Sequence, residues 1–187
     1  MKSFRISEYK ALAYRLVLVY LFYFLVRLAF YSFNHAHLSV EGISDFLRLA
    51  FYGLLFDTTA IIYVNLLFIF LSVLPLLVNA QNKFQKVLFW VYFLCNIPAY
   101  LLNFIDIAYF SYNKTRLTTN DWALVENEHN PITLLAGFLV QYWAIFVVFL
   151  VLVLFWIFLY KKVQIKEERI TKKKPYFITS IIVLVLL

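Results

Sequence analysis

The sequence predicts an all-α integral membrane protein, a polytopic helical bundle of four full transmembrane helices and the start of a fifth, with short amphipathic helices on its outer side. Three observations predict it. Of 187 residues, 64% are hydrophobic and 14% charged, where a soluble domain carries roughly 45–50% and about 25%. Aromatic residues reach 21%, with 21 Phe, 14 Tyr and 4 Trp, so most of each helix's circumference has to face something other than water. The apolar residues also fall into long runs separated by short basic segments. The same composition excludes a disulfide-stapled secreted domain, since Cys95 is the one cysteine, and a disordered chain, since no polar low-complexity tract is present.

A hydrocarbon core of about 30 Å needs about 20 apolar residues at about 1.5 Å rise each. Residues 11–33, 58–78, 87–110 and 132–160 meet that length. The first run follows Lys2 and Arg5 but is too long for a signal peptide, and no small-residue cleavage site follows it. Residues 43–56 place Phe46, Leu47, Ala50, Phe51 and Leu54 at helical spacing, with Asp45 and Arg48 on a wetter side. They predict an amphipathic helix on the outer surface that runs into helix 2 near Gly53. Pro75 and Pro98 are expected to kink helices 2 and 3. The polar stretch 111–131 offers Asn120 or Asp121 as an N-cap and stops at Pro131, which predicts a short surface helix. Helix 4 places Trp143 toward one end and Trp156 and Tyr160 toward the other, as interfacial belts require. The last run, 176–187, would be about 18 Å of helix, too little to cross. A helix end in hydrocarbon costs several kcal/mol per exposed backbone group, so the chain reads as the membrane part of a longer protein.

Net charge is +7, and its placement predicts orientation. Thirteen of the seventeen Lys and Arg lie in 1–15, 79–86 and 161–175, whereas Arg27, Arg48, Lys114 and Arg116 lie on the opposite side with seven of the ten acids. By the positive-inside rule the N-terminus is cytoplasmic and the C-terminus extracytoplasmic. Lys172, Lys173 and Lys174 read as a topology determinant facing anionic lipid rather than as a nucleic-acid patch.

No catalytic motif of soluble enzymes is present: no phosphate-cradling glycine loop, no GxSxG, no HExxH and no cysteine cluster. This stretch alone is therefore expected to be inactive and to hold neither metal nor cofactor. Chemistry, if any, rests on Arg27, Asp57, Asn65, Asn96, Asn103, Asp106 and Gln141, polar residues within the helices. On the structural reading, Arg27 pairs with Asp57 or Asp106 and locks helices 1 to 3 together. On the functional reading, Arg27, Arg48 and Arg116, oriented by Asp57 and Asp106, form an outer-leaflet pocket for a lipid phosphate, which guanidinium forks suit. The two are compatible. His35, His37, His129, Glu126 and Glu128 are a weak metal signal, and Asn113-Lys114-Thr115 is a chance-prone glycosylation pattern.

Two stretches carry a family resemblance. Gly53-Leu54-Leu55-Phe56-Asp57-Thr58-Thr59-Ala60-Ile61-Ile62-Tyr63, and Asn103-Phe104-Ile105-Asp106-Ile107-Ala108-Tyr109-Phe110 followed by Arg116-Leu117-Thr118, resemble the N-terminal membrane domain of the lipoteichoic acid synthase family, within the alkaline phosphatase and sulfatase superfamily. The family often has Arg where this chain has Leu55; either Arg48, seven residues earlier on the same helix face, substitutes, or the headgroup pocket loses a cation. The resemblance implies a bacterial plasma-membrane protein in which these helices anchor an extracytoplasmic domain, beyond Leu187, that uses a threonine nucleophile and a divalent metal of the manganese or zinc class. It would transfer a phosphoglycerol-type headgroup, with membrane lipid, in the first place anionic phospholipid, as partner. Phosphoethanolamine-transferring relatives share the architecture, and a non-enzymatic assembly partner or transporter subunit is the reading from another class.

Overall fold

The computed structural model describes residues 6–38, 42–74, 79, 81–118, 136, 137, 139–163 and 165, and every regular element among them is helical. They are α1 (Ile6–Asn34), extended by a 3-10 turn at His35–His37, then α2 (Ile43–Val73), α3 (Asn82–Asn113) and α4 (Trp143–Lys162). All four are long and apolar enough to cross a membrane, which makes this a multi-pass membrane protein. In hydrocarbon a backbone has no water to bond, so each crossing segment satisfies its N–H and C=O groups internally as a helix.

The helix ends follow from local chemistry. Leu74 leaves α2 with φ −47° and ψ 134°, the extended conformation a residue before proline adopts. The expected kink at Pro75 thus gives way to a helix end, and Pro75 itself lies outside the described residues. Pro98 sits inside α3, which continues through it. α3 closes on Lys114 in the left-handed conformation (φ 60°, ψ 11°), its N–H donating to the Phe110 carbonyl. The Lys114 Nζ also donates to the Ser111 carbonyl at 2.7 Å, so one residue caps the last turn twice. Residues 43–56 are helical, as their periodicity predicts, but continue past Gly53 without a break, so α2 is one helix of 31 residues. The surface helix expected at 111–131 and the fifth run at 176–187 fall largely or wholly outside the described residues.

Each helix buries one stripe at helical spacing. On α1 it is Ala11, Leu12, Arg15, Leu18, Val19, Phe22, Tyr23 and Val26; on α3, Leu88, Tyr92, Asn96, Tyr100, Phe104 and Ala108; on α4, Ile145, Phe149, Val153, Trp156 and Tyr160. α1, α2 and α3 pack against one another, and α4 lies against α1 and α3. The opposite faces are apolar and exposed: Phe56, Tyr63 and Leu94 are each at least three-quarters accessible, as lipid-facing side chains are. Trp156 corrects the interfacial-belt expectation. It is fully buried, stacked on Phe22 at 4.6 Å between centroids, with its indole N–H donating to the Tyr92 hydroxyl at 2.9 Å. Tyr160 is likewise buried; helix 4 turns these large rings inward because its neighbours supply a polar partner for the indole.

α1 and α3 run from one end of the bundle to the other, and α2 and α4 return. The end where α1 begins is called proximal below, and the end where α1 stops is called distal.

Candidate functional site

Two polar clusters occupy opposite ends of the bundle, and a third pair sits between them. The distal cluster surrounds a cavity of about 50 Å³ lined by Tyr23, Val26, Arg27, Phe30, Asp57, Asn103, Asp106 and Arg116. The stripes explain who arrives there. Tyr23, Arg27 and Phe30 follow one another at i, i+4 and i+7 on the face of α1 that is buried further down, so they continue it toward the distal end. On α2 the inward line runs Gly53, Asp57, Ile61, Asn65 in steps of four. Asn103 and Asp106 flank the buried stripe of α3, and Arg116 folds back just after its C-cap.

Two ion pairs organise the cavity. Arg27 directs Nε and Nη2 at the same oxygen, Asp57 Oδ2, at 2.8 and 2.7 Å. Nη1 of Arg27 and Oδ1 of Asp57 have no partner among the described residues. Arg116 Nη1 lies 3.1 Å from Asp106 Oδ2, while Asp106 Oδ1 accepts the Leu117 N–H at 2.7 Å. The Arg116 guanidinium also covers the Phe30 ring, 4.5 Å from its centroid, a cation–π contact that holds it over the cavity. Both acids are four-fifths or more enclosed, Arg27 is three-quarters enclosed and Arg116 about half. Gly53 completes the arrangement. A Cβ there would overlap the Arg27 guanidinium carbon and both its terminal nitrogens, so the absence of a side chain lets that guanidinium lie flat on α2 one turn before Asp57.

Four of the five residues expected at a headgroup site therefore meet: Arg27, Asp57, Asp106 and Arg116. Arg48 does not. Nine residues at about 100° each put it on the side of α2 opposite Asp57, where it is exposed with its guanidinium 6.0 Å from the Tyr52 ring centroid. Arg48 therefore does not supply the cavity with a cation in place of one at position 55: it shares the outward side of α2 with Leu55, which is itself exposed. Tyr23 and Phe30 were not singled out from the sequence; their i−4 and i+3 spacing from Arg27 is the signal that marks them.

Asn65 and Asn96 form the middle pair, exchanging amide hydrogen bonds at 3.0 and 2.7 Å, each also donating to its own helix's i−4 carbonyl. Both are fully buried. They join α2 to α3 and leave no room for a ligand. Gln141 is exposed, and so are His35 and His37; no metal-holding cluster of His, Cys, Asp or Glu occurs among the described residues. His129, Glu126 and Glu128 lie outside them.

The proximal cluster is centred on Arg15, which the sequence presents as an ordinary basic flanking residue. It is buried, donates from Nη2 to Gln85 Oε1 at 2.9 Å and stacks on Tyr160 with 4.4 Å to the ring centroid. Gln85 in turn donates to the Asn79 carbonyl, and Asn79 to the Leu74 carbonyl at the end of α2. Among the described residues no carboxylate pairs with Arg15, and its Nε has no hydrogen-bond partner. Among the described residues the Tyr160 ring and the Gln85 amide are what its charge meets.

Compared with known protein families, with curated proteins and with solved structures, the chain matches none.

Proposed function

We propose that this chain is the membrane domain of a phospholipid-headgroup transferase resembling the lipoteichoic acid synthase family, and that its distal cavity holds the phosphate of a membrane phospholipid for an extracytoplasmic catalytic domain. One observation carries the reading: two guanidiniums, each steered by one carboxylate, face a single small cavity built by three helices. Arg27 turns Nε and Nη2 toward one oxygen of Asp57, and its Nη1 has no partner among the described residues, so it is open to another acceptor. Guanidinium is the group suited to forked recognition of a phosphate. The basic flanks support an orientation with the proximal end cytoplasmic and the cavity toward the outer leaflet. In this arrangement the protein binds and orients. Arg27 and Arg116 fix the phosphate, and Asp57 and Asp106 fix the arginines.

The test is binding of short-chain phospholipid to the purified chain, with Arg27→Gln set against Lys114→Gln, whose target lies on the exposed end of α3. Loss of one charged hydrogen-bonding group should weaken binding about tenfold or more in the first variant and little in the second. Equal loss in both, or none in either, would sink the proposal.

A further inference from the structure

We propose that the proximal end of the bundle is a second phosphate site, in which Arg15 of α1 and Lys161 of α4 hold the phosphate of a phospholipid in the adjoining leaflet. It lies at the end opposite the distal cavity and does not depend on what that cavity binds.

The first ground is a buried cation in neutral company. Leu12, Arg15, Leu18 and Phe22 follow one another at helical spacing on the buried stripe of α1, which leaves Arg15 only 4% exposed. The positive-inside rule accounts for lysines in water at this end, but not for a guanidinium turned into the bundle. Among the described residues its side-chain partners are the Gln85 amide and the Tyr160 ring, and neither carries a charge. Enclosing a guanidinium without a carboxylate costs free energy that a bound anion offsets.

The second ground is where hydrogen-bonding capacity is left over. Four buried side-chain atoms of the described residues have no hydrogen-bond partner: Arg15 Nε, Asn79 Oδ1, Tyr160 Oη and Tyr100 Oη. The first three belong to this one cluster, since Arg15 meets both Gln85 and Tyr160, and Gln85 donates to the Asn79 carbonyl. Buried polar groups are ordinarily satisfied, so three such groups together point to a polar ligand.

Lys161 supplies the open edge. Its Nζ lies 5.7 Å from the Phe89 ring centroid, and Phe89 packs edge-on against Tyr160 at 5.4 Å. Arg15, Tyr160, Phe89 and Lys161 thus form a continuous row across α1, α4 and α3, buried at Arg15 and exposed at Lys161. Contacts with ring faces position both cations without neutralising them. Gln85 is half-buried and rests its Oε1 on the Arg15 guanidinium at 2.9 Å, where a phosphate oxygen would bond. The charge-assisted bond is the stronger of the two, so an arriving phosphate displaces the amide. Basic clefts between membrane helices are a recurring seat for anionic headgroups.

Native mass spectrometry of the full chain, which counts bound lipids one by one, tests the site by titration with dioctanoyl phosphatidylglycerol, dioctanoylglycerol and inorganic phosphate. Lys161→Gln and Gln85→Glu should each weaken one phosphatidylglycerol binding step about tenfold, the first by removing a cation and the second by giving Arg15 a carboxylate of its own. Lys162→Gln makes the same change in net charge at an exposed neighbour with no ring contact among the described residues, and should leave every step nearly unchanged. Both lysines are exposed, so their comparison stands even if Gln85→Glu loosens the bundle. Inorganic phosphate held as well as the lipid, and lost in the same variants, would overturn the lipid as its source while the phosphate site stands. Equal weakening in all three variants, as diffuse attraction to a positive end predicts, would overturn the site. So would phosphatidylglycerol held no better than dioctanoylglycerol, or no weakening in Lys161→Gln.

Discussion

At the scale of single residues, the most consequential atom outside the cavity is the Tyr92 hydroxyl. It accepts the Trp156 indole N–H at 2.9 Å and donates to the Arg15 carbonyl at 2.9 Å, so one oxygen ties α3 to α4 and to α1. Tyr92→Phe keeps the ring and removes that oxygen, leaving a buried indole N–H without an acceptor. Orphaning a buried donor costs about 1–3 kcal/mol, and that much loss of stability is expected in a denaturing-detergent titration, with a change in tryptophan emission. An unchanged titration midpoint would mean the relay is not formed in the membrane. Such roles are hard to read from sequence. Arg15 looks like any flanking cation and Trp156 like any belt residue, because both assignments depend on which way the helix is turned about its axis.

At the scale of elements, the helices themselves were legible, because length of apolar run is what a bilayer selects for. α1 and α3 extend past the apolar runs 11–33 and 87–110 into their polar flanks, since a helix continues as long as no proline or strained residue stops it. The inward line Gly53, Asp57, Ile61, Asn65 was also present as a spacing of four, and the same arithmetic would have excluded Arg48. What the spacing could not supply was the partner helix. The Asn65–Asn96 exchange joins α2 to α3, and among the described residues each asparagine is the other's only side-chain partner. Asn65→Leu and Asn96→Leu should each destabilise the bundle by leaving the opposite amide partly unpaired. The double replacement should cost less than the sum of the two, by about 0.6–1.7 kcal/mol, the coupling seen for hydrogen bonds between membrane helices. Strict additivity would show that the pair is not coupled.

At the scale of the whole molecule, α1, α2 and α3 are about 43, 46 and 48 Å long by their 29, 31 and 32 residues, against a hydrocarbon core of about 30 Å. Their ends therefore tilt or stand beyond the core. The basic flanks predict which end is cytoplasmic. With Cys95 first replaced by Ala, a cysteine at exposed Asn82 should react with impermeant maleimide only after the cytoplasmic face is opened, and one at exposed Thr115 in intact cells. The reverse pattern would put the cavity in the cytoplasmic leaflet and remove the extracytoplasmic reading.

Gly53 makes three positions hereditary partners. Because its missing side chain is the space the Arg27 guanidinium occupies, Gly53→Ala should displace Arg27 from Asp57 and weaken phospholipid binding. Pairing it with Arg27→Lys, whose slimmer head needs no flat bed on the helix, should restore part of what was lost. In descendants of this sequence, positions 27, 53 and 57 should drift together or not at all.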